Sequence, residues 1–146
     1  MNLRLEPAHE DDADALVALR IAAMRESLER LGRFDPERAR ARFLDGFEPA
    51  YTRHVVVDGQ RVGFVVLKPD GDDLLLDHLY VLPAHQGRGI GAAVIADVLA
   101  HADARRARVR LGALRGSDAN RFYRRHGFVQ VGEGEWDIHY ERAPSV

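Results

Sequence analysis

Apolar residues along this chain recur at two spacings, and each change of spacing marks an element boundary. Leu3 and Leu5 alternate with polar neighbours over Asn2–Glu6, a short strand closed by Pro7. Asp11 or Asp12 then caps a helix in which Leu16, Leu19, Ala23, Leu28 and Leu31 recur at helical spacing before Gly32. Asp35-Pro36 pairs an N-cap residue with proline at the first helical position, and opens a second helix with Ala39, Phe43, Leu44 and Phe47 inward. Beyond Pro49 the residues become β-branched. His54–Val57 and Val62–Leu67 form a hairpin through Asp58-Gly59, and Leu74–Leu82 follows the Pro69–Asp73 turn as the next strand. Helical spacing returns over Gly91–Arg105 through Val94, Ile95, Val98, Leu99 and Ala102. Val109–Leu114 is again a strand. Ser117 caps a short helix running to His126 and released at Gly127, and Phe128–Val131 and Trp136–Tyr140 are strands around the Gly132–Gly134 turn. The predicted order is β-α-α-β-β-β-α-β-α-β-β, an α/β (α+β) domain with a mixed, mostly antiparallel sheet flanked by helices. Its parallel crossovers should be right-handed.

Composition narrows the classes. The 146 residues fit a single domain over 1–146, with no repeat or linker to divide it. A content of 46% hydrophobic and 30% charged residues supports a real core and argues against disorder. With 21 basic and 23 acidic residues the net charge is −2, without the basic excess of a nucleic-acid-coating protein. Zero cysteines exclude disulfides, thiolate metal sites and a cysteinyl intermediate. The acidic start (Glu6, Glu10, Asp11, Asp12) is no signal peptide, and runs such as Phe64–Leu67 are too short to cross a bilayer. The expectation is a cytoplasmic protein without a nucleic-acid or membrane partner.

The segment Leu79-Tyr-Val-Leu-Pro-Ala-His-Gln-Gly-Arg-Gly-Ile-Gly91 carries the clearest chemistry. A strand runs into a turn with Gly87, Gly89 and Gly91, and an amphipathic helix begins at once. One glycine would serve a tight turn. Three at alternate positions before a helix favour an anion site, because they bring free N–H groups close to a ligand. Gly87-x-Gly89-x-x-Ala92 formally matches a dinucleotide fingerprint. The strand after it ends in Leu114-Arg115 without an acidic residue, and too little chain follows Gly91 for the rest of a doubly wound domain. No Gly-Lys pair exists for a Walker loop.

Gln86-x-x-Gly89-x-Gly91 after Leu79-Tyr80-Val81-x-Pro83 resembles the acyl-CoA signature of the GNAT superfamily of N-acetyltransferases. Ala119-Asn-Arg-Phe122-Tyr123-Arg-Arg-His-Gly127-Phe128 is similar to the family's second signature, in the same order. The resemblance implies a GNAT-like fold over the whole chain and acetyl-CoA as cosubstrate, without metal. It further implies that the backbone of Gly87–Gly91 holds the CoA pyrophosphate, bordered by Gln86 and Arg88. Leu79, Ile90, Ala119 and Phe122 would complete the carrier site, and a bulge N–H near Val81 would polarise the thioester carbonyl. Tyr123 resembles the family's general acid; Phe122 also suits a core position. For the general base Asp77 is preferred over His78 and His139; neighbours on one strand point to opposite faces, so Asp77 and His78 are alternatives. His126 reads as a helix-end residue. Gly116 stands where many members carry Asn, and Asn120 reads as an unrelated surface residue.

The acceptor implied is a primary amine of a small molecule or peptide. In this family the first two helices shape its site, here Arg20-x-x-x-Met24 and Gly32-Arg-Phe34-Asp35. A non-catalytic acyl-CoA-binding sensor or partner module is the alternative, and a nucleotide-binding domain a further one. A homodimer, which the Trp136–Tyr140 strand could help to form, is left open.

Overall fold

A computed structural model describes residues 1–145. The elements are β1 (Leu3–Pro7), α1 (Ala13–Arg30), α2 (Pro36–Asp45), β2 (Thr52–Val57), β3 (Gln60–Asp70), β4 (Asp73–Val81), α3 (Ile90–Ala104), β5 (Val109–Leu114), α4 (Ala119–Arg125), β6 (Val129–Glu133) and β7 (Asp137–Arg142). Their order is the one the sequence predicts. The seven strands form one mixed sheet in the order β1-β2-β3-β4-β5-β7-β6. The residues group into two compact units, Met1–Val66 with His78–Gly91, and Leu67–Asp77 with the chain from Ala92 onward.

In the first unit β1 and β2 pair antiparallel from Leu3↔Val57 to Pro7↔Arg53. β2 turns back into β3 at Asp58-Gly59, where φ is 50° and 85°. Two successive positive φ values give the hairpin turn that matches strand twist, which is why Asp-Gly stands there. The register slips between Val55↔Gly63 and Val56↔Arg61, leaving Val62 extra. Leu16, Val17, Phe43, Phe64, Val66 and Ala8 form the core, with Leu19, Ile21, Phe47 and Tyr80 packed against it. Two predicted core positions, Leu31 and Leu44, are exposed instead. Phe43 takes the inner face of α2 and stacks at 5.5 Å on Phe47, which lies just beyond the Gly46 C-cap, and Leu44 lies about 100° round from Phe43. The Asp35 cap is as predicted, accepting from the Arg38 N–H at 3.1 Å.

The entry to α1 is held by Asp12. Its Oδ2 accepts from the His9 N–H and lies 2.9 Å from Nε2 of His54, and Arg61 Nη1 stands 3.2 Å from Oδ1. His54 is buried on β2. The His54 hydrogen bond, then the His9 N–H, hold the Asp12 carboxyl down to about 2.

In the second unit β4 and β5 pair in parallel at Leu74↔Val109 and Leu75↔Arg110; among the described residues this ladder stops there. β5 pairs antiparallel with β7 over its whole length, from Val109↔Arg142 to Leu114↔Asp137. Val94, Ile95, Val98 and Ala102 of α3 are fully buried, as their spacing predicts. Asp103 near the end of α3 takes a bidentate contact from Arg142 and the Ser145 N–H, and that guanidinium holds its carboxyl below the usual range.

Candidate functional site

The glycine turn is built within the first unit. β4 ends at Val81, and the Leu82 N–H donates to the Val62 carbonyl at 2.8 Å. One 3-10 turn, Pro83–His85, then leads to Gln86, whose Nε2 returns to the Val81 carbonyl at 2.8 Å. Gly87 and Gly89 have φ of +77° and +81°, a left-handed backbone that disfavours any side chain, and a Cβ on either would meet no heavy atom within 4 Å. Among the described residues the N–H groups of Gly87, Arg88 and Gly89 donate to no protein acceptor. The turn is thus an exposed row of free donors in front of α3. Ile90 buries its own side chain, so only its backbone can serve a ligand. Such a cradle suits a pyrophosphate.

Just before the turn β4 is pressed against β3. A Cβ on Gly63 would lie 2.2 Å from the Tyr80 carbonyl oxygen and 3.3 Å from the Val81 Cα. Only glycine fits under this stretch of backbone. An isolated glycine inside a strand pattern is the signal that the sequence offered for it.

His78 and Tyr80 point to the side of β4 covered by α2. The His78 ring lies 5.4 Å from Phe43 and 6.1 Å from Phe64, and its Nδ1 is 3.4 Å from the Tyr80 hydroxyl. The Tyr80 ring is 5.5 Å from Phe64, and the Arg20 guanidinium of α1 lies over it at 5.9 Å. Arg20 Nη1 donates to the Ala39 carbonyl at 3.0 Å, while its Nε is buried without a hydrogen-bond partner among the described residues. Sequence reasoning placed Arg20 near the acceptor region but did not foresee this environment. The available signal was a charge four residues after Leu16, in the row α1 buries.

Asp77 lies in the second unit, on the opposite side of the strand from His78 by alternation. Its Oδ2 is 3.3 Å from Nζ of Lys68 and its side chain is one-third exposed. On α4, Tyr123 is buried with its ring against Phe122 at 5.2 Å and Phe128 at 5.5 Å. His126 is the C-cap and stacks on Phe122 at 4.6 Å. His139 is exposed on β7.

The start of α4 corrects two expectations. Ser117 is not the cap: Asp118 holds the N-cap position, and Ser117 Oγ donates to the Leu114 carbonyl at 2.8 Å. Nor is Asn120 a surface residue. It is buried, its Nδ2 donates to the carbonyls of Leu114 at 2.9 Å and Ser117 at 3.0 Å, and its Oδ1 accepts from the Tyr140 hydroxyl at 2.9 Å. One amide thereby ties α4, the end of β5 and β7, using both its donor and its acceptor sides. Gly116, with φ of +83°, makes the turn between β5 and α4.

The first unit therefore gathers Val81 and Gln86 through Gly91 in one turn, and the second sets Ala119, Phe122 and Tyr123 on one short helix. Among the described residues no cluster of His, Asp or Glu has the makings of a metal site, and no helix is long and apolar enough to cross a membrane.

No curated protein matches the chain significantly. Solved structures share its fold. PaiA N-acetyltransferase from Thermoplasma acidophilum, in complex with coenzyme A, is 16% identical over 98% of this chain and 99% of its own, with a TM-score of 0.80. An acetyltransferase from Thermus thermophilus is 21% identical over 98% and 97%, with a TM-score of 0.77. The ribosomal-protein-S18-alanine N-acetyltransferase from Escherichia coli is 16% identical over 99% and 96%, with a TM-score of 0.75. The model of the acetyltransferase (GNAT) domain matches residues 50–130, from the end of α2's loop through the glycine turn and α4 to β6. With that match across both signatures, the chain belongs to the GNAT acetyltransferase family.

Proposed function

We propose that this protein is a cytoplasmic N-acetyltransferase that transfers the acetyl group of acetyl-CoA to a primary amine of a small molecule or peptide by direct attack. The observation that carries this reading is the exposed row of unengaged N–H groups at Gly87, Arg88 and Gly89 in front of α3. Acetyl-CoA supplies an acetyl group activated as a thioester. The backbone of Gly87–Gly91 holds the pyrophosphate, with Gln86 and Arg88 at its border, and Leu79, Ile90, Ala119 and Phe122 line the carrier. The Val81 N–H is aimed at the carbonyl oxygen as negative charge develops there. In the step itself a nitrogen–carbon bond forms and the carbon–sulfur bond breaks. Asp77 takes the proton that the amine loses, and Tyr123 gives one to the departing thiolate.

Calorimetric titration with acetyl-CoA, with NAD and ATP as controls, tests the carrier. Saturable binding of acetyl-CoA alone is expected, and none with folded protein overturns the reading. Gly89→Ala should weaken that binding about tenfold or more, since alanine resists the φ the cradle needs. Tyr123→Phe should lower kcat by about a hundredfold with acetyl-CoA affinity within about twofold; unchanged turnover removes Tyr123 from the chemistry.

An acyl-CoA-binding module without turnover is the second reading. It is favoured by one feature: Asp77 Oδ2 is already engaged by Lys68 at 3.3 Å. Tight acetyl-CoA binding with no thiol release across an amine panel would select it.

A further inference from the structure

Arg20 is a half-buried cation that among the described residues has no counter-charge. It projects from α1 between α2 and β4, with the Tyr80 ring under its guanidinium at 5.9 Å. Among the described residues its single hydrogen bond is Nη1 to the Ala39 carbonyl at 3.0 Å, and Nε is buried with no partner. Among the described residues no carboxylate lies within the 4.0 Å of an ion pair. Other half-buried charges are treated differently here: Arg142 is clamped by Asp103 and Lys68 by Asp77. A guanidinium partly withdrawn from water loses solvation that one neutral carbonyl and a ring face restore only in part. An incoming carboxylate would restore the rest through its planar, forked pairing with guanidinium.

The position gives this charge a purpose. Tyr80 directly precedes Val81, whose N–H is assigned to the acyl carbonyl, so Arg20 stands on the α1–α2 side of the same strand end. Phe43, Phe64 and His78 complete a ring-lined wall beside it. We propose that Arg20 is the carboxylate-binding residue of the acceptor site, and that the acceptor is a small amine bearing a carboxylate, of the amino-acid type. A diamine would instead bring a second positive charge toward an unpaired guanidinium. This inference rests on the acetyltransferase reading above.

The test pairs a carboxylate with its neutral amide. The wild type and Arg20→Gln are titrated with N-acetyl amino acids carrying small, aliphatic, acidic and aromatic side chains, and with the corresponding N-acetyl amino-acid amides. At least one carboxylate should bind the wild type about tenfold or more tightly than its amide, and in Arg20→Gln that ratio should fall to about one. Arg20→Lys, which keeps the charge and loses the fork, should retain part of the preference. Thermal melting establishes that each variant is folded. The proposal falls if no carboxylate binds the wild type, if amides bind as well, or if Arg20→Gln keeps the ratio. These titrations need no acetyl-CoA, so they judge Arg20 separately. Should acetyl-CoA fail to bind while the carboxylate preference stands, the acetyltransferase reading alone is lost. With turnover in hand, kcat/KM for free amino acids over their amides should show the same preference and the same loss.

Discussion

Asp12 and Arg20 are charged side chains eight residues apart at the start and middle of one helical stretch, and their surroundings are opposites. Asp12 is saturated: a backbone N–H, a buried imidazole and a guanidinium surround one carboxylate. Arg20 holds one carbonyl and leaves a buried nitrogen without a partner among the described residues. A charge whose hydrogen-bonding capacity is used up within the chain is a fastener, and its natural work is to hold β2, β3 and the entry to α1 together. A charge with capacity left over is a receptor. The difference teaches that burial alone does not separate structural from functional charges; the count of satisfied partners does.

The largest effect on this contrast should come from Gly63, which lets β4 lie where Tyr80 can support Arg20. In Gly63→Ala the new methyl would sit 2.2 Å from a backbone oxygen, so β4 must move as a whole. A loss of about 3 kcal/mol or more in urea unfolding is expected. A loss under about 1 kcal/mol would mean that β4 yields easily. Asp12→Asn comes next. The folded carboxyl titrates at about 2 against an ordinary 3.8, so its stabilisation is complete above the ordinary value and disappears as pH falls toward 2. Water at the Arg61 side screens the cluster, which reduces the expected contribution to about 1 kcal/mol. Urea midpoints of wild type and variant should differ at pH 6 and converge near pH 2; a gap independent of pH would show that charge is not what Asp12 contributes. Smallest should be Arg20→Gln, within about 0.5 kcal/mol of wild type, because a lost hydrogen bond is offset by removing an unpaired charge. A loss above about 2 kcal/mol would make Arg20 a fastener as well.

How legible these features were depends on whether backbone or side chains build them. The glycine turn is made of backbone, and backbone demands write themselves locally: residues that need positive φ are glycines, and Gly87 and Gly89 stood at the right spacing between a strand and a helix. Asp58-Gly59 and Asp35-Pro36 were readable for the same reason. Asn120 was not. It is one asparagine on a polar helix, and its meaning comes from Tyr140 and Leu114, which meet it only after β5, α4 and β7 are in place. Leu44 reads as core because the period of α2 allows either of two adjacent apolar residues to face inward, and the rings of Phe47 and Phe64 decide for Phe43.

By itself the sequence determined the order of elements, the turn chemistry and the family, since these depend on local periodicity, on φ preferences and on motifs within a few residues of chain. The tertiary structure alone decided which charges are satisfied. That Asp12 meets His54 and Arg61, that Asn120 meets Tyr140, and that Arg20 meets no carboxylate among the described residues are facts about residues distant in sequence. Hydrogen bonding and desolvation act over a few ångströms of space, whatever the separation along the chain.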